Sequence, residues 1–151
     1  MENEEAIRIF SPDAEYGFLS NYFECPIISK KIKWKSIEHY YQAQKFTGTI
    51  KEDQTRKLSS PDSDKCYAHS FQHLWRPDWD EVKIEIMREA VRDKFFQSAI
   101  LAEELIATRS AILIEDSKKD FFWGISDGTG QNMLGKILMK VREELIEKSD
   151  I

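Results

Sequence analysis

Apolar residues recur at helical spacing in the second half of the chain. One run follows Asp78 and comprises Val82, Ile86, Met87, Ala90, Val91 and Phe95. Another lies between residues 132 and 147 and comprises Leu134, Ile137, Leu138, Val141 and Leu145. Spacings of three and four residues place side chains on one face of an α-helix. The pattern predicts two amphipathic helices, and residues 99–107 form a third predicted helix between them.

Short aliphatic runs bounded by turn residues predict strands. Residues 7–10 (IRIF) and 111–115 (AILIE) fit this description, the second as a buried strand, and residues 26–34 (PIISKKIKW) predict a hairpin. The other breaks, including residues 59–64 (SSPDSD), are expected to be loops. The elements predict an α+β fold, a single helix-rich domain over residues 1–151 with a small β-sheet.

Composition adds limits to this picture. The chain has 151 residues, 41% of them hydrophobic, and a formal net charge of -5. This size supports one core without metal or disulfides, and the charge argues against whole-molecule attraction to nucleic acid or an anionic membrane. Cys25 and Cys66 form no metal-binding motif, so both are expected to be reduced thiols. The acidic N-terminus resembles no signal peptide and no membrane-spanning window is present, so a cytosolic location is expected.

Residues 36–46 (SIEHYYQAQKF) concentrate polar and reactive side chains. Ser36 is a candidate N-cap, and the helix that it predicts places Glu38, Gln42 and Lys45 along one side. A carboxylate and an amine two turns apart are typical of a solvated helix face. That is one of two interpretations of the segment.

The other interpretation is an enclosed pocket. Its aromatic walls would be Tyr40, Tyr41, Phe46 and Trp34. Burial in such a pocket lowers the pKa of Lys45 from about 10.4 toward neutrality, and a neutral lysine amine is a nucleophile. His39 also has two interpretations, as a ligand or base, or as a hydrogen-bonded packing residue.

Residues 15–23 (EYGFLSNYF) contain further candidates. They are either an ordinary loop or a binding turn. In a binding turn, Phe18 would stack on a base and Asn21 would hydrogen-bond ribose hydroxyls or an amide edge.

Residues 120–135 (DFFWGISDGTGQNMLG) carry four glycines before the last helix. Gly128 and Gly130 form either a phosphate-binding turn at the helix N-terminus or only a tight turn, with Asn132 as the helix cap. The segment matches neither GxGxxG after a clear strand nor a Walker A loop, which argues against dinucleotide oxidoreductases and NTPases.

Three charged or aromatic residues outside these segments are also candidates for a role. Trp79 is expected to anchor the core at a helix start. Lys94 and Arg142 either anchor a phosphate or pair with acidic neighbours in sequence.

Taken in order, the motifs resemble one family. They are EYGFLSNYF, SIEHYYQAQKF after a tryptophan, RPDWD, KFFQS, LIEDS, DFFWG and GTGQNMLGKILMKVR. This series, from about Glu15 to Arg142, is similar to the YbiA-like family, also called NADAR. The resemblance implies an α+β N-glycosidase that acts on ribosylated nitrogen compounds without a metal or redox cofactor. One branch cleaves early riboflavin-pathway intermediates, and another removes ADP-ribose from guanine bases.

The resemblance also implies residue roles. Lys45 would attack the anomeric carbon of ribose with Glu38 nearby, and Asp120 and Trp123 would belong to the same pocket. The predicted catalytic residues are therefore Lys45, Glu38 and Asp120. The predicted substrate-binding residues are Phe18, Ser20, Asn21, Trp34, His39, Gln42, Arg76, Trp123, Gly124 and Asn132.

The predicted function is hydrolysis of the C1′–N bond of a ribosylated base through a lysine Schiff base. ADP-ribosylated guanine, free or presented in DNA or RNA, is placed before riboflavin intermediates as substrate, and neither a membrane nor a protein partner is indicated. The alternative is a module that binds ADP-ribose or a nucleotide without cleaving it.

The chain departs from the family in one segment. Many members carry a Gly-Arg pair before the part that matches residues 76–79, whereas this chain has AHSFQHLW at residues 68–75. Arg76 or His69 is expected to compensate for that arginine.

Overall fold

The computed structural model describes residues 5–149. In chain order its strands and helices are β1 (Ala6–Ile9), β2 (Ile27–Ser29), β3 (Ile32–Trp34), α1 (Ile37–Gln44), α2 (Ile50–Arg56), α3 (Pro61–Ser70), α4 (Trp79–Gln97), α5 (Ala99–Ile106), β4 (Ile112–Glu115) and α6 (Met133–Ser149). Short 3-10 turns lie at Gly17–Leu19 and Gln72–Leu74. Helices dominate and the strands pair in twos, so the α+β prediction is confirmed.

Hydroxyl side chains begin several helices. Ser36 Oγ accepts a hydrogen bond from the backbone N–H of His39 at the start of α1. Thr49, Ser60 and Ser98 accept equivalent bonds at the starts of α2, α3 and α5. Each bond satisfies a backbone donor that has no partner within the helix. The predicted cap at Ser36 is confirmed, although α1 ends at Gln44, two residues before the predicted end.

The predicted loop at residues 59–64 is wrong. Ser60 is the N-cap of α3, and Pro61 and Asp62 lie in its first turn. Proline is favourable there because the first helical N–H needs no intrahelical acceptor, and acidic residues favour the positive end of the helix dipole. The residue types that interrupt a helix in its interior thus begin one here. Helix α2 is a further element that the sequence pattern does not predict.

The described chain divides into two compact units, with the boundary inside α4. The first unit comprises residues 5–23 and 95–149, and the second comprises residues 24–94. The single-domain assignment stays a prediction.

In the first unit, β1 and β4 pair in parallel, with Ile7 opposite Leu113. Helix α6 packs against β4 and α5 through its predicted apolar stripe, which is buried. Strand β4 was predicted to be buried along its length, and this is only partly right, because Leu113 is buried whereas Ile112 is exposed.

In the second unit, β2 and β3 form the predicted hairpin, with Ile27 opposite Trp34. Lys30 and Lys31 in its turn both have positive φ, 54° and 65°, as a two-residue type I′ turn requires. Helix α1 packs against α2 and α3, and all eight of its residues are buried.

Cys25 and Cys66 are both free thiols, as predicted. Within residues 5–149, none of the helices has the length and apolar character needed to span a bilayer.

Candidate active site

The polar side chains of α1 lie inside the second unit. Glu38 is 6% exposed, Gln42 is 2% exposed, and Lys45, directly after the helix, is 3% exposed. Helices α2 and α3 pack against α1. The interpretation of this segment as a solvated helix face is therefore wrong.

The amine of Lys45 is surrounded by aromatic rings. Its Nζ atom lies 4.0 Å from the ring centre of Trp75, 5.3 Å from that of Tyr41 and 5.7 Å from that of Trp79. These separations fall within the range of about 6 Å for cation–π attraction. We call Tyr41, Trp75 and Trp79 the aromatic cage.

Burial makes the charged form of this amine costly. It lowers the pKa of Lys45 to about 8, although the Glu38 carboxylate opposes the shift and the charges of Lys65 and Lys83 add to it. With that pKa, about one amine in ten is neutral at pH 7, against roughly one in three thousand for an ordinary lysine. The side chain can therefore act as a nucleophile near neutral pH.

Glu38 and Gln42 form a hydrogen-bonded pair one helical turn apart. Gln42 Nε2 donates to Glu38 Oε1 at 2.6 Å. Gln42 Oε1 is buried and accepts no hydrogen bond from the part of the chain that the structure describes. A buried acceptor without a donor costs about 1–3 kcal/mol, and a ligand that donates a hydrogen bond to this atom would remove that cost.

The predicted aromatic walls are only partly right. Tyr41 belongs to the cage, whereas Trp34 and Tyr40 pack against each other at 5.1 Å between ring centres. Phe46 packs edge-on against Tyr67. Trp34 is 1% exposed and its indole N–H donates to the Ser29 carbonyl, so it packs as a core residue. Its substrate contact stays a prediction.

His39 is a packing residue. Its side chain is fully buried, and its Nδ1 lies 2.7 Å from Ser36 Oγ. Its Nε2 lies 3.2 Å from the Leu58 carbonyl and 3.0 Å from Asp64 Oδ2. Since protein groups occupy both ring nitrogens, neither is left for a substrate, which corrects that prediction for His39.

Arg76 was predicted to contact the substrate and to compensate for the missing family arginine, and both roles stay predictions. Its guanidinium donates to both Asp78 carboxylate oxygens, at 2.6 and 2.9 Å, and to Thr47 Oγ1 at 3.1 Å. The backbone N–H of Arg76 donates to the Lys45 carbonyl at 2.7 Å, so this residue acts on Lys45 through the main chain.

The first unit holds the other predicted residues. Phe18 lies half-buried in the Gly17–Leu19 turn, edge-on to Phe95. Ser20 ends that turn and accepts a hydrogen bond from the Tyr22 N–H, and Asn21 is buried. The substrate contacts assigned to Phe18, Ser20 and Asn21 stay predictions.

Asp120 organises the loop in which it lies. Its Oδ1 accepts hydrogen bonds from the backbone N–H groups of Phe122 and Trp123, both at 2.9 Å. Trp123 is half-buried and packs edge-on against Phe122. A Cβ atom at Gly124 would lie 2.8 Å from the Glu115 carbonyl oxygen, so only glycine fits there. The roles of Asp120, Trp123 and Gly124 toward substrate stay predictions.

The glycines before α6 form a tight turn. The N–H groups of Gly128 and Gly130 both donate to the Ile125 carbonyl at 2.8 Å. The first N–H groups of α6, at Met133 and Leu134, donate to carbonyls of the preceding loop. Because these donors are already used, the phosphate-binding interpretation is wrong.

Asn132 joins that loop to β4. Its Oδ1 accepts from the Glu115 N–H and its Nδ2 donates to the Leu113 carbonyl, both at 2.9 Å. Asn132 lies directly before α6 and its carbonyl accepts from the Lys136 N–H, so it holds the predicted cap position through its main chain. Its side chain does not cap α6, and the predicted substrate contact is corrected because β4 already uses both amide atoms.

Two charged residues on apolar helices are also buried. Arg142 Nη1 donates to Thr108 Oγ1 and to the Ala111 carbonyl, so it holds the end of α5 rather than an acidic neighbour or a phosphate. Lys94 is 1% exposed, and burial lowers its pKa to about 7, against an opposing effect of Cys25.

Sequence reasoning found Tyr41 but missed the other two members of the aromatic cage. Trp79 was predicted only as a core anchor, and Trp75 received no role. Trp75 precedes α4, so helical periodicity carries no information about its direction. The only available signal was its position in the segment that departs from the family.

The protein has an α+β fold that encloses a lysine of lowered pKa beside a glutamate. These features make it a candidate for an enzyme that uses a lysine nucleophile. The sequence profile of the NADAR domain matches residues 9–146. The chain belongs to the NADAR family.

Three relatives and one solved structure support this assignment. The chain is 42% identical to a riboflavin biosynthesis protein of Vibrio vulnificus over 95% of its own length, but it spans only 40% of that protein. It is 39% identical to N-glycosidase YbiA of Escherichia coli, covering 94% of this chain and 90% of YbiA. An N-glycosidase of Nostoc punctiforme is 41% identical, with 86% of each chain covered. The NMR structure of the E. coli protein YbiA matches with a TM-score of 0.89 at 37% identity, over 100% of this chain and 91% of that one.

Proposed function

We propose that this protein is a hydrolase that cleaves the N-glycosyl bond between a ribose and a nitrogenous base. The observation that carries the proposal is the Lys45 amine, buried in the aromatic cage with a pKa of about 8. Such an amine is a nucleophile at physiological pH, which a binding module does not need. The E. coli and Nostoc relatives are named N-glycosidases, which agrees with this chemistry.

The reaction sets two demands. Breaking the C1′–N bond builds positive character on C1′ and negative charge on the departing base. The site must therefore supply electrons to C1′ and a proton to the base. Neutral Lys45 meets the first demand. Glu38 meets the second by transferring a proton.

In the proposed first step, Nζ of Lys45 forms a bond to C1′ while the C1′–N bond electrons leave with the base. Glu38 takes a proton from the new Nζ–C1′ ammonium and delivers it to the base. The C1′–O4′ bond of the ribosylamine then opens to a Schiff base, and the second Nζ proton passes to O4′. Water adds to the C1′=Nζ bond, and collapse of the adduct frees ribose and restores the amine.

Gln42 would orient the sugar in this scheme. Its buried Oε1 has no donor within residues 5–149, and a ribose hydroxyl is a donor of suitable strength. Its amide N–H is held by Glu38, so the acceptor is fixed in place. The roles predicted for Asp120, Trp123, Phe18 and Asn21 would be tested by substitution.

Two substrate classes fit this chemistry. The sequence-based prediction favours ADP-ribose attached to guanine. The Vibrio relative is named a riboflavin biosynthesis protein, which favours the branch that acts on riboflavin-pathway intermediates. Both release a free base nitrogen and a ribose C1′ hydroxyl, so the mechanism is common to them.

Product analysis against both classes in parallel tests the proposal. We expect base release from at least one class, and borohydride should trap a covalent adduct that is visible by intact mass. Lys45→Met should lose both the adduct and the cleavage. The control is Lys51→Met, which removes another lysine of the second unit, one that lies over Phe71 outside the cage. Calorimetric binding of ADP-ribose with no base release from either class would instead support the non-catalytic module.

A further inference from the structure

The segment that departs from the family pattern supplies the ring nearest to the Lys45 amine. Residues 68–75 carry no arginine, and Trp75 at the end of the segment lies 4.0 Å from Nζ. We propose that Trp75 is a positioning residue, whose indole face holds the Lys45 ammonium in the resting protein and releases the amine when it loses its proton. This role rests on the proposed chemistry of Lys45.

Trp75 is itself held in place from two sides. Its indole N–H donates to the Ala68 carbonyl at 2.8 Å, and the His69 ring packs edge-on against it at 5.5 Å between ring centres. The next residue, Arg76, donates its backbone N–H to the Lys45 carbonyl. Residues 75 and 76 therefore contact both ends of Lys45, its amine and its main chain. A ring fixed in this way imposes one location on the amine.

The indole distinguishes the two protonation states of Lys45. A ring quadrupole attracts an ammonium over its face but has little attraction for a neutral amine. The other groups that act on the amine are charged or titratable: Glu38 from α1, Lys65 and His69 from α3, and Lys83 from α4. Glu38 favours the ammonium, and Lys65 and Lys83 disfavour it. The pKa of His69 is itself lowered, first by its partial burial and then by Lys45.

Burial and Trp75 act on the Lys45 amine in opposite directions. Burial favours the neutral nucleophile, whereas Trp75 retains enough attraction for the ammonium to keep the amine located between turnovers. Once the amine is neutral, the attraction ends and Nζ is free to move toward C1′. A ring at position 75 with the same shape but a weaker quadrupole should lower the pKa of Lys45. The exposure of Lys45 to solvent should not change.

Fluorinated tryptophans provide this perturbation. Site-specific replacement of Trp75 by mono-, di- and tetrafluorotryptophan reduces the ring quadrupole in steps at nearly constant volume. The pKa of Lys45 would be measured without substrate, from the Cε chemical shift of protein carrying ¹³C-labelled lysine, with Lys45→Met assigning the signal. We expect the pKa of Lys45 to fall stepwise, by about one pH unit for the most fluorinated ring. The free energy of a desolvated cation–π contact corresponds to one or more pKa units.

Phe71→Leu is the matched control. It removes the ring that lies 3.6 Å from Nζ of Lys51 in the same unit, and it should leave the titration of Lys45 unchanged. A Lys45 pKa that stays constant across the fluorinated series would overturn the role of Trp75. A pKa that falls in a protein that cleaves neither substrate class would support that role while refuting the proposed function.

Discussion

Replacing Lys45 by methionine should stabilise the protein while abolishing its activity. Methionine is unbranched and similar in length to the aliphatic part of lysine, so it fills the aromatic cage without a charge. The lysine amine titrates at 10.5 in the unfolded chain and at about 8 in the folded protein. At about 1.4 kcal/mol per pKa unit, the buried ammonium costs the folded state about 3 kcal/mol at neutral pH. The attraction of the ammonium to the aromatic cage offsets part of this cost. The cost is therefore an upper limit for the stability that Lys45→Met gains.

The sign of the pH dependence follows from the same two values. Below pH 8 both states carry the charge, so the full cost applies. Between about pH 8 and 10.5 the folded protein releases its proton while the unfolded chain keeps it, so the wild-type protein gains stability as pH rises. The advantage of Lys45→Met should therefore be largest at pH 7 and should shrink steadily toward pH 10.

Equilibrium urea unfolding, followed by tryptophan fluorescence at pH 7, 8, 9 and 10, measures this difference. Lys33→Met is the matched control, because Lys33 is exposed on β3 and its replacement should change the free energy of unfolding little at any of these values. If Lys45→Met were less stable than the wild type at pH 7, or if its advantage did not change with pH, the amine would not be buried as a costly ammonium.

Three further changes test other parts of the structure by the same unfolding measurement. Lys94→Met should also stabilise the protein at neutral pH, because burial lowers the pKa of Lys94 to about 7. Its stability advantage over the wild type should begin to shrink near pH 7, at a lower pH than the advantage of Lys45→Met. If both advantages began to shrink at the same pH, this prediction would be wrong. Asp64→Asn should gain stability over the wild type as pH rises from about 4 to 8, since burial and the Glu38 charge raise the pKa of Asp64 to about 8. A difference in the free energy of unfolding that stayed constant over this range would contradict the prediction. Asn132→Ala should lose about 2–3 kcal/mol, because it leaves two β4 backbone groups without partners, whereas Gln131→Ala, at an exposed neighbour, should change little.

The sequence by itself determined the features that depend on neighbours close along the chain. The cap at Ser36, the Lys30–Lys31 turn and the apolar stripe of α6 were all predicted, because hydroxyl caps, two-residue turns and helical spacing act over a few residues. The ordered motifs also identified the family and singled out Lys45. One local prediction was wrong, the loop at the start of α3. Its serine and proline residues were interpreted as a loop, whereas they begin a helix.

Tertiary structure alone decided which polar groups are buried and what surrounds them. A carboxylate and an amine two turns apart look the same on a solvated face and in a pocket, and only the packing of α2 and α3 on α1 distinguishes the two. The position of Trp75 over Lys45, thirty residues away in sequence, follows from the path of the chain between α3 and α4. The amide of Asn132 likewise found its partners on a distant strand. Burial and hydrogen bonding depend on residues remote in sequence, so local patterns do not contain them.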